Sequence, residues 1–276
     1  MELNEIYNLV AEEYFRGKDV EEFIDYREAI VNLRKKYRSN ECDPNYSEED
    51  IKAYMLTYFP VYCLQTNVIV DKLDLKQYFN NSKNLNMAIL GTGPSTEVIG
   101  LGEYFKGKNI LFRLYDYEEK WSKCRIVAKK FLEINNMSGN FDPIYGCDLL
   151  LKCDYCENKS RCKSKFKKAD LILIQNCLNH MNDKDDFMEK LKFIITNMKK
   201  DALFLIIDFN YEICLNLMYK IYENNIDIVN KISLGNNELK IDACEYPYYI
   251  RKVFNGKENL ILRKYVKSYY LLLQRK

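Results

Sequence analysis

Residues 87–105 read MAILGTGPSTEVIGLGEYF, with the core Gly91-Thr92-Gly93-Pro94-Ser95-Thr96-Glu97. Met87 to Leu90 is a short continuous apolar run, the pattern of a buried strand. Two glycines one residue apart follow, and Val98, Ile99, Leu101 and Phe105 then recur at helical spacing. A strand that turns through glycines into a helix brings bare backbone N–H groups close to a ligand, at the positive end of a helix dipole. Such a turn suits a nucleotide-like cofactor. A dinucleotide site would carry its third glycine at Thr96, and a P-loop would end in Gly-Lys-Ser/Thr; both are missing, which argues against a bound pyrophosphate. Glu97, two residues beyond the Gly-x-Gly-Pro-Ser turn, suits a ligand with its own positive amino group.

Further apolar runs follow in order. Asn109 to Tyr115 reads as a strand ending in Asp116, about 25 residues past the turn. Trp121 to Leu132 has helical spacing, and Pro143-Ile144-Tyr145-Gly146-Cys147-Asp148 reads as a third strand. A fourth, Asp170 to Ile174, opens into Gln175-Asn176-Cys177-Leu178-Asn179-His180-Met181, and a fifth runs from Ala202 to Asp208. Short apolar strands separated by helical segments are the signature of a parallel sheet covered on both faces.

The GTGP turn and the elements after it, over about 120 residues, resemble motif I and its successors in the class I (Rossmann-like) S-adenosylmethionine (SAM) methyltransferases, in the variant reading GxGP rather than GxGxG. The resemblance implies an α/β fold: a seven-stranded, mostly parallel sheet with helices on both faces, closed by an antiparallel hairpin. Ile226 to Ile232 and Ser268 to Leu273 fill the hairpin role, and Glu245 to Phe254 between them is ambiguous. It implies SAM as cofactor, lying on Gly91, Thr92, Gly93, Pro94 and Ser95. Asp116 would clasp the ribose hydroxyls, Asp148 would meet the adenine amino group, and Gln175 and Asn176 would sit near the methyl group. Two departures stand out. Many members have an acid two residues before the first glycine, where this chain has Ile89, so the methionine amino group would turn to Glu97, a backbone carbonyl or a water. Ser95 replaces the third glycine. The alternative is an α/β domain whose glycine loop is only a tight turn.

Methyl transfer from a sulfonium asks the protein chiefly to align the acceptor and exclude water. Where a base is needed, His180, the single histidine, and Asp208 at the tip of the fifth strand are the candidates. Each has a plainer reading, His180 in shaping its loop and Asp208 in capping the following turn. The segment from Gln175 to His180 lacks both the Asn/Asp-Pro-Pro-aromatic pattern of exocyclic-amine methylation and the Pro-Cys pattern of 5-methylcytosine enzymes, which makes Cys177 a weak nucleophile.

The chain has 276 residues, more than the about 200 of a single methyltransferase core. Residues 1–82 are therefore expected to form an N-terminal helical lid or cap, and 83–276 the SAM-binding domain. Ser47 with Asp50 three residues on resembles a capping box, a helix through Tyr54 and Tyr58 should stop near Pro60, and another should run from Val61 to Leu75. Tyr54, Tyr58 and Tyr62 share one helical face, a pattern more typical of core than of a substrate platform. Residues 1–50 hold fourteen acids against seven basic residues, ill-suited to direct nucleic-acid contact. No apolar run approaches a membrane span, and the acidic N-terminus lacks the start of a signal peptide. Ten cysteines in that context suggest a reducing, cytoplasmic setting.

An insertion at about 147–168 is rich in cysteine and basic residues. Cys153 and Cys156 form a C-x-x-C flanked by Cys147 and Cys162, four soft ligands that could hold zinc or, less readily, an iron–sulfur cluster; the plain reading is four reduced thiols. Seven Lys or Arg against three acids lie between Leu151 and Asp170, and eight against Glu258 alone lie between Arg251 and Lys276. With Phe254, Tyr265, Tyr269 and Tyr270 in the second stretch, these regions make RNA, ribosomal RNA included, the favoured acceptor. Against this, the net charge is only +2. A small metabolite under the helical lid is the second reading, and a catalytically silent SAM-fold binding protein the third.

Overall fold

The computed structural model describes residues 1–38, 46–117, 119–144, 165–178, 185–256 and 260–276. Seven strands form one sheet: β1 (Asn84–Leu90), β2 (Asn109–Tyr115), β3 (Gly139–Ile144), β4 (Leu171–Gln175), β5 (Leu203–Phe209), β6 (Val229–Lys240) and β7 (Tyr265–Arg275), in the order β3-β2-β1-β4-β5-β7-β6. The first five run parallel. β7 returns antiparallel to both β5 and β6. The strand order reverses between β1 and β4, and the crevice at the carboxyl ends there is where open α/β sheets take ligands.

Burial alternates along the central strands as a pleat requires. Met87 and Ile89 of β1, Leu171 and Leu173 of β4, and Leu205 and Ile207 of β5 enter one core. Their neighbours Ala88, Leu90, Ile172, Ile174, Phe204 and Ile206 enter the other. The first core is shared with α1 (Leu3–Leu9), α2 (Val20–Ile24), α3 (Arg27–Arg38), α4 (Glu48–Thr57), α5 (Phe59–Lys72), α6 (Thr96–Tyr104) and α7 (Arg125–Ile134). The second is covered by α8 (Asp185–Thr196), through Phe187 and Leu191, and α9 (Glu212–Glu223), through Leu217 and Ile221. The N-terminal helices thus bury their apolar faces in the same core as one face of the sheet. Among the described residues no helix is long and apolar enough to cross a membrane.

Local sequence signals place several boundaries. Ser47 Oγ accepts the Asp50 N–H at 3.1 Å and Asp50 Oδ2 accepts the Ser47 N–H at 3.0 Å, a reciprocal cap that starts α4. α4 stops at Thr57, and Pro60 falls in the first turn of α5, where its missing N–H would have no helical partner. The helix expected from Trp121 divides at Cys124 into a 3-10 turn (Glu119–Cys124) and α7. The ambiguous segment after β6 holds a 3-10 turn capped by Asp242 and a short helix, α10 (Tyr248–Val253).

The closing hairpin is longer than its apolar pattern suggests. β6 pairs with β7 through Gly235, Asn236 and Asn237, which lack strand propensity. The pairing is made by β7: Gly235 lies opposite Tyr270, and a Cβ there would stand 2.6 Å from the Tyr270 hydroxyl. A bare backbone under an aromatic ring replaces a side-chain pair.

Helices α5 and α6 approach as closely at Gly100. A Cβ on Gly100 would lie 2.6 Å from Thr66 Cβ and 2.7 Å from the Cys63 carbonyl oxygen, positions that cannot yield without moving a helix. Gly100→Ala is expected to destabilise the protein by about 1–3 kcal/mol. Denaturant melts of the two proteins check this; equal midpoints would refute the close packing.

Candidate functional site at the carboxyl ends of β1, β2, β4 and β5

The turn after β1 is held by its neighbour. Gly91 and Thr92 both donate their N–H to the Tyr115 carbonyl at the end of β2, at 2.9 and 3.2 Å. Gly91 and Gly93 have φ of +66° and +47°, conformations open to glycine at little cost. Ser95 also lies at positive φ, +72°, where a side chain is strained, and it forms the N-cap of α6. The Gly93 N–H donates to Asp116 Oδ2 at 2.5 Å. Glycine turn and acid, 23 residues apart in sequence, therefore meet at one place. The Trp121 ring closes over them, 3.9 Å from where a Gly93 Cβ would stand.

Glu97, in the first turn of α6, is almost fully buried at 2% exposure, and its Oε2 has no hydrogen-bond partner. Burial pushes its carboxyl up to about 8, and the nearby Asp116 charge pushes the same way; its own N–H and Thr96 pull against them. A buried carboxyl oxygen left without a partner is costly in isolation and well matched to a cationic group.

At the tip of β4 the side chains turn toward α5. Gln175 Nε2 donates to the Tyr62 carbonyl at 3.0 Å, and Gln175 Oε1 accepts from the Thr66 hydroxyl. Gln65 Oε1 accepts from Asn176 Nδ2 at 3.0 Å, and Gln65 Nε2 donates to Ser268 Oγ of β7 at 2.6 Å. Cys177 Sγ lies 3.5 Å from the Gly91 carbonyl, which brings the β4 tip beside the glycine turn. Burial raises the Cys177 thiol well above its usual range, as does the Asp208 charge, so it is no ready nucleophile.

Asp208 is fully buried. Its oxygens accept the Leu178 N–H at 2.7 Å and the Phe209 N–H at 2.8 Å, with Cys214 Sγ at 3.4 Å. Burial raises its carboxyl to about 6 against the pull of these donors. The arrangement ties the segment after β4 to the end of β5.

An aromatic wall covers the site from the helical side. Tyr54 lies 5.2 Å from Trp121 and 6.1 Å from Tyr62, centroid to centroid. Tyr58 and Tyr62 stack at 5.6 Å, and Tyr62 reaches Phe209 at the end of β5 at 5.8 Å. Tyr58 and Tyr62 are buried in the core, as their spacing suggested, and the same rings form the roof over the strand tips.

Five parallel strands, a reversal between β1 and β4, and a seventh strand inserted antiparallel between β5 and β6 settle the architecture. The fold is that of the class I methyltransferases. No protein-family model and no curated protein matches the sequence. Similar solved structures include an O-methyltransferase family protein from Burkholderia thailandensis, 12% identical, TM-score 0.49, covering 93% of this chain and 72% of the other. The plantazolicin methyltransferase BamL, in complex with a triazolic desmethylPZN analog and SAH, is 11% identical with TM-score 0.46, covering 94% and 100%. A SAM-dependent methyltransferase from Aquifex aeolicus is 13% identical with TM-score 0.44, covering 83% and 99%. The strand order, not these distant likenesses, carries the fold assignment.

Of the residues singled out in the sequence, Gly91, Thr92, Gly93, Pro94, Ser95, Glu97 and Asp116 gather at the tips of β1 and β2. Gln175 and Asn176 lie beside them with their side chains engaged by α5. Asp148, His180, Cys147, Cys153, Cys156 and Cys162 lie outside the described residues. Among the described residues no group of three or more His, Cys, Asp or Glu side chains is placed to hold a metal ion. Sequence reasoning missed Gln65, Thr66, Trp121 and Ser268. Its available signal was Gln65-Thr66-Asn67, three polar residues in a row inside an apolar helix.

Two outcomes follow from these contacts. Gln65→Leu would take from Asn176 and Ser268 the side-chain partner they share, while Gln175 keeps Tyr62 and Thr66, and denaturant melts should show a loss of about 1–3 kcal/mol. The Glu97 carboxyl, ordinarily near 4.5 and raised to about 8 on folding, binds its proton more tightly in the native state, so stability falls as pH rises from 4.5 to 8. Glu97→Gln removes that loss: its Tm relative to the native protein should be higher at pH 8 than at pH 5, and an offset independent of pH would refute the burial.

Proposed function

We propose that this chain is a SAM-dependent methyltransferase acting on a small molecule held between the tips of β4 and β5 and the tyrosine roof. The observation that carries this reading is the junction of the Gly91–Ser95 turn with Asp116, next to a buried Glu97 whose Oε2 has no hydrogen-bond partner among the described residues. The residues present fit the cofactor. Gly93 presents bare backbone beneath Trp121, Asp116 offers carboxylate oxygens, and Glu97 offers a counter-charge to an amino group.

When bound, SAM supplies a methyl group made electrophilic by its sulfonium. The chain's own contribution is alignment and exclusion of water. Gln175 and Asn176, locked to Gln65, fix the β4 tip, and Asp208 fixes the segment after it against β5. Tyr54, Tyr58, Tyr62 and Trp121 shield the crevice. With Asp208 spent on backbone N–H groups, His180 is the candidate base for an acceptor that gives up a proton.

The RNA reading keeps only part of its C-terminal support. Phe254 and Tyr270 are buried and Arg263 packs on Tyr58 and Tyr62, which leaves Arg251, Lys252, Lys264, Tyr265 and Lys267 exposed. The basic insertion is its other argument, and excess absorbance at 260 nm lost in high salt would favour RNA over a small acceptor. The zinc reading of Cys147, Cys153, Cys156 and Cys162 is a proposal of its own, checked by metal analysis of the purified protein.

Titration calorimetry with SAM tests the function. The native protein should bind it, Asp116→Ala should bind about 1.5–3 kcal/mol more weakly, and Gly93→Val should not bind. No heat from folded native protein would overturn the reading.

A further inference from the structure

Arg263 stands against the tyrosine roof, and among the described residues no anionic group meets it. Its guanidinium carbon lies 4.9 Å from the centroid of Tyr58 and 5.6 Å from that of Tyr62. Nη1 donates to the Tyr62 hydroxyl at a long 3.4 Å, and among the described residues the side chain has no other hydrogen bond and no ion pair. A guanidinium taken largely out of water is costly unless paired, and ring faces return only part of that cost. The side chain is not what fixes this segment. Its carbonyl accepts the Tyr246 hydroxyl at 2.6 Å, which holds the backbone in place.

The position relative to the strand tips is equally specific. The Tyr62 carbonyl is bonded by Gln175 at the end of β4, and its ring touches Phe209 at the end of β5. Phe209 in turn meets Tyr211 at 5.7 Å, a ring that is 55% exposed and so reaches the surface. A second cation lies on the same side: Arg34 packs over Phe254 at 5.0 Å and donates to the Ile261 carbonyl at 3.1 Å. A row of touching rings thus leads from the exposed Tyr211 through Phe209 and Tyr62 to a guanidinium whose planar fork matches a carboxylate.

Resting on the methyltransferase reading, we propose that Arg263 is the acceptor-recognising residue, and that the acceptor is a small aromatic carboxylic acid. Its ring would lie along Phe209, Tyr211 and Tyr62, and its carboxylate would pair with the Arg263 guanidinium. The carboxylate selects the acceptor and orients it; Arg263 takes no part in the methyl transfer.

The test is calorimetry on the full chain loaded with S-adenosylhomocysteine, using benzoate, phenylacetate and indole-3-acetate, each against its neutral amide. At least one acid should bind tenfold or more tightly than its amide. Arg263→Gln should erase that difference and Arg263→Lys keep part of it, while affinity for S-adenosylhomocysteine stays within twofold of native. Should a variant not fold, the acid–amide comparison on the native protein decides alone. Normal S-adenosylhomocysteine binding with acids and amides indistinguishable, or a difference that survives in Arg263→Gln, overturns this inference and leaves the methyltransferase reading intact. No S-adenosylhomocysteine binding by the native protein overturns both.

Discussion

A single buried amide, Gln65 of α5, ties together three parts of the molecule. It bonds Gln175 at the end of β4, Asn176 just beyond it, and Ser268 in β7. Each of these groups is polar and largely out of water, so each needs a partner, and α5 is the element that supplies it. The N-terminal helices are therefore held over the strand tips by directional bonds as well as by apolar burial. The tyrosine roof follows from that placement, because Tyr58 and Tyr62 ride on the start of the same helix.

The electrostatics of the crevice have the same origin. Glu97 and Asp208 are both raised by burial, yet they differ in what they meet. Asp208 receives backbone N–H groups on both oxygens and serves the chain. Glu97 keeps an oxygen without a partner and faces Asp116, a like charge. Arg125 offsets part of that cost, and a cationic ligand group, as we propose, would offset more.

The sheet and the glycine turn could be read from the sequence because their signals are local. β1, β4 and β5 are buried on both faces and appear as unbroken apolar runs. Gly91 and Gly93 mark backbone that other residues adopt with strain. The far ends of β6 and β7 could not be read, because Gly235 is a strand residue only through Tyr270 on the neighbouring chain segment. Gln65, Ser268 and Arg263 were silent for the same reason. Their partners lie more than 100 residues away in sequence, and no spacing rule joins them. The tyrosine stripe was legible as core, and its second use as a roof needed the position of the strand tips. Asp148, His180 and the four insertion cysteines lie outside the described residues, and their roles rest on the sequence reading.

The covering helices share one hydrophobic core with the sheet beneath them. Swinging them aside as a flap would strip apolar surface from Leu56, Phe59 and Val61 as well as from the strands. In the methyltransferase we propose, turnover would cost least through an opening that leaves these helices in place, and the exposed ring of Tyr211 beside Phe209 would stand at its edge. Size selection would then be exercised by a rigid opening before any chemistry begins.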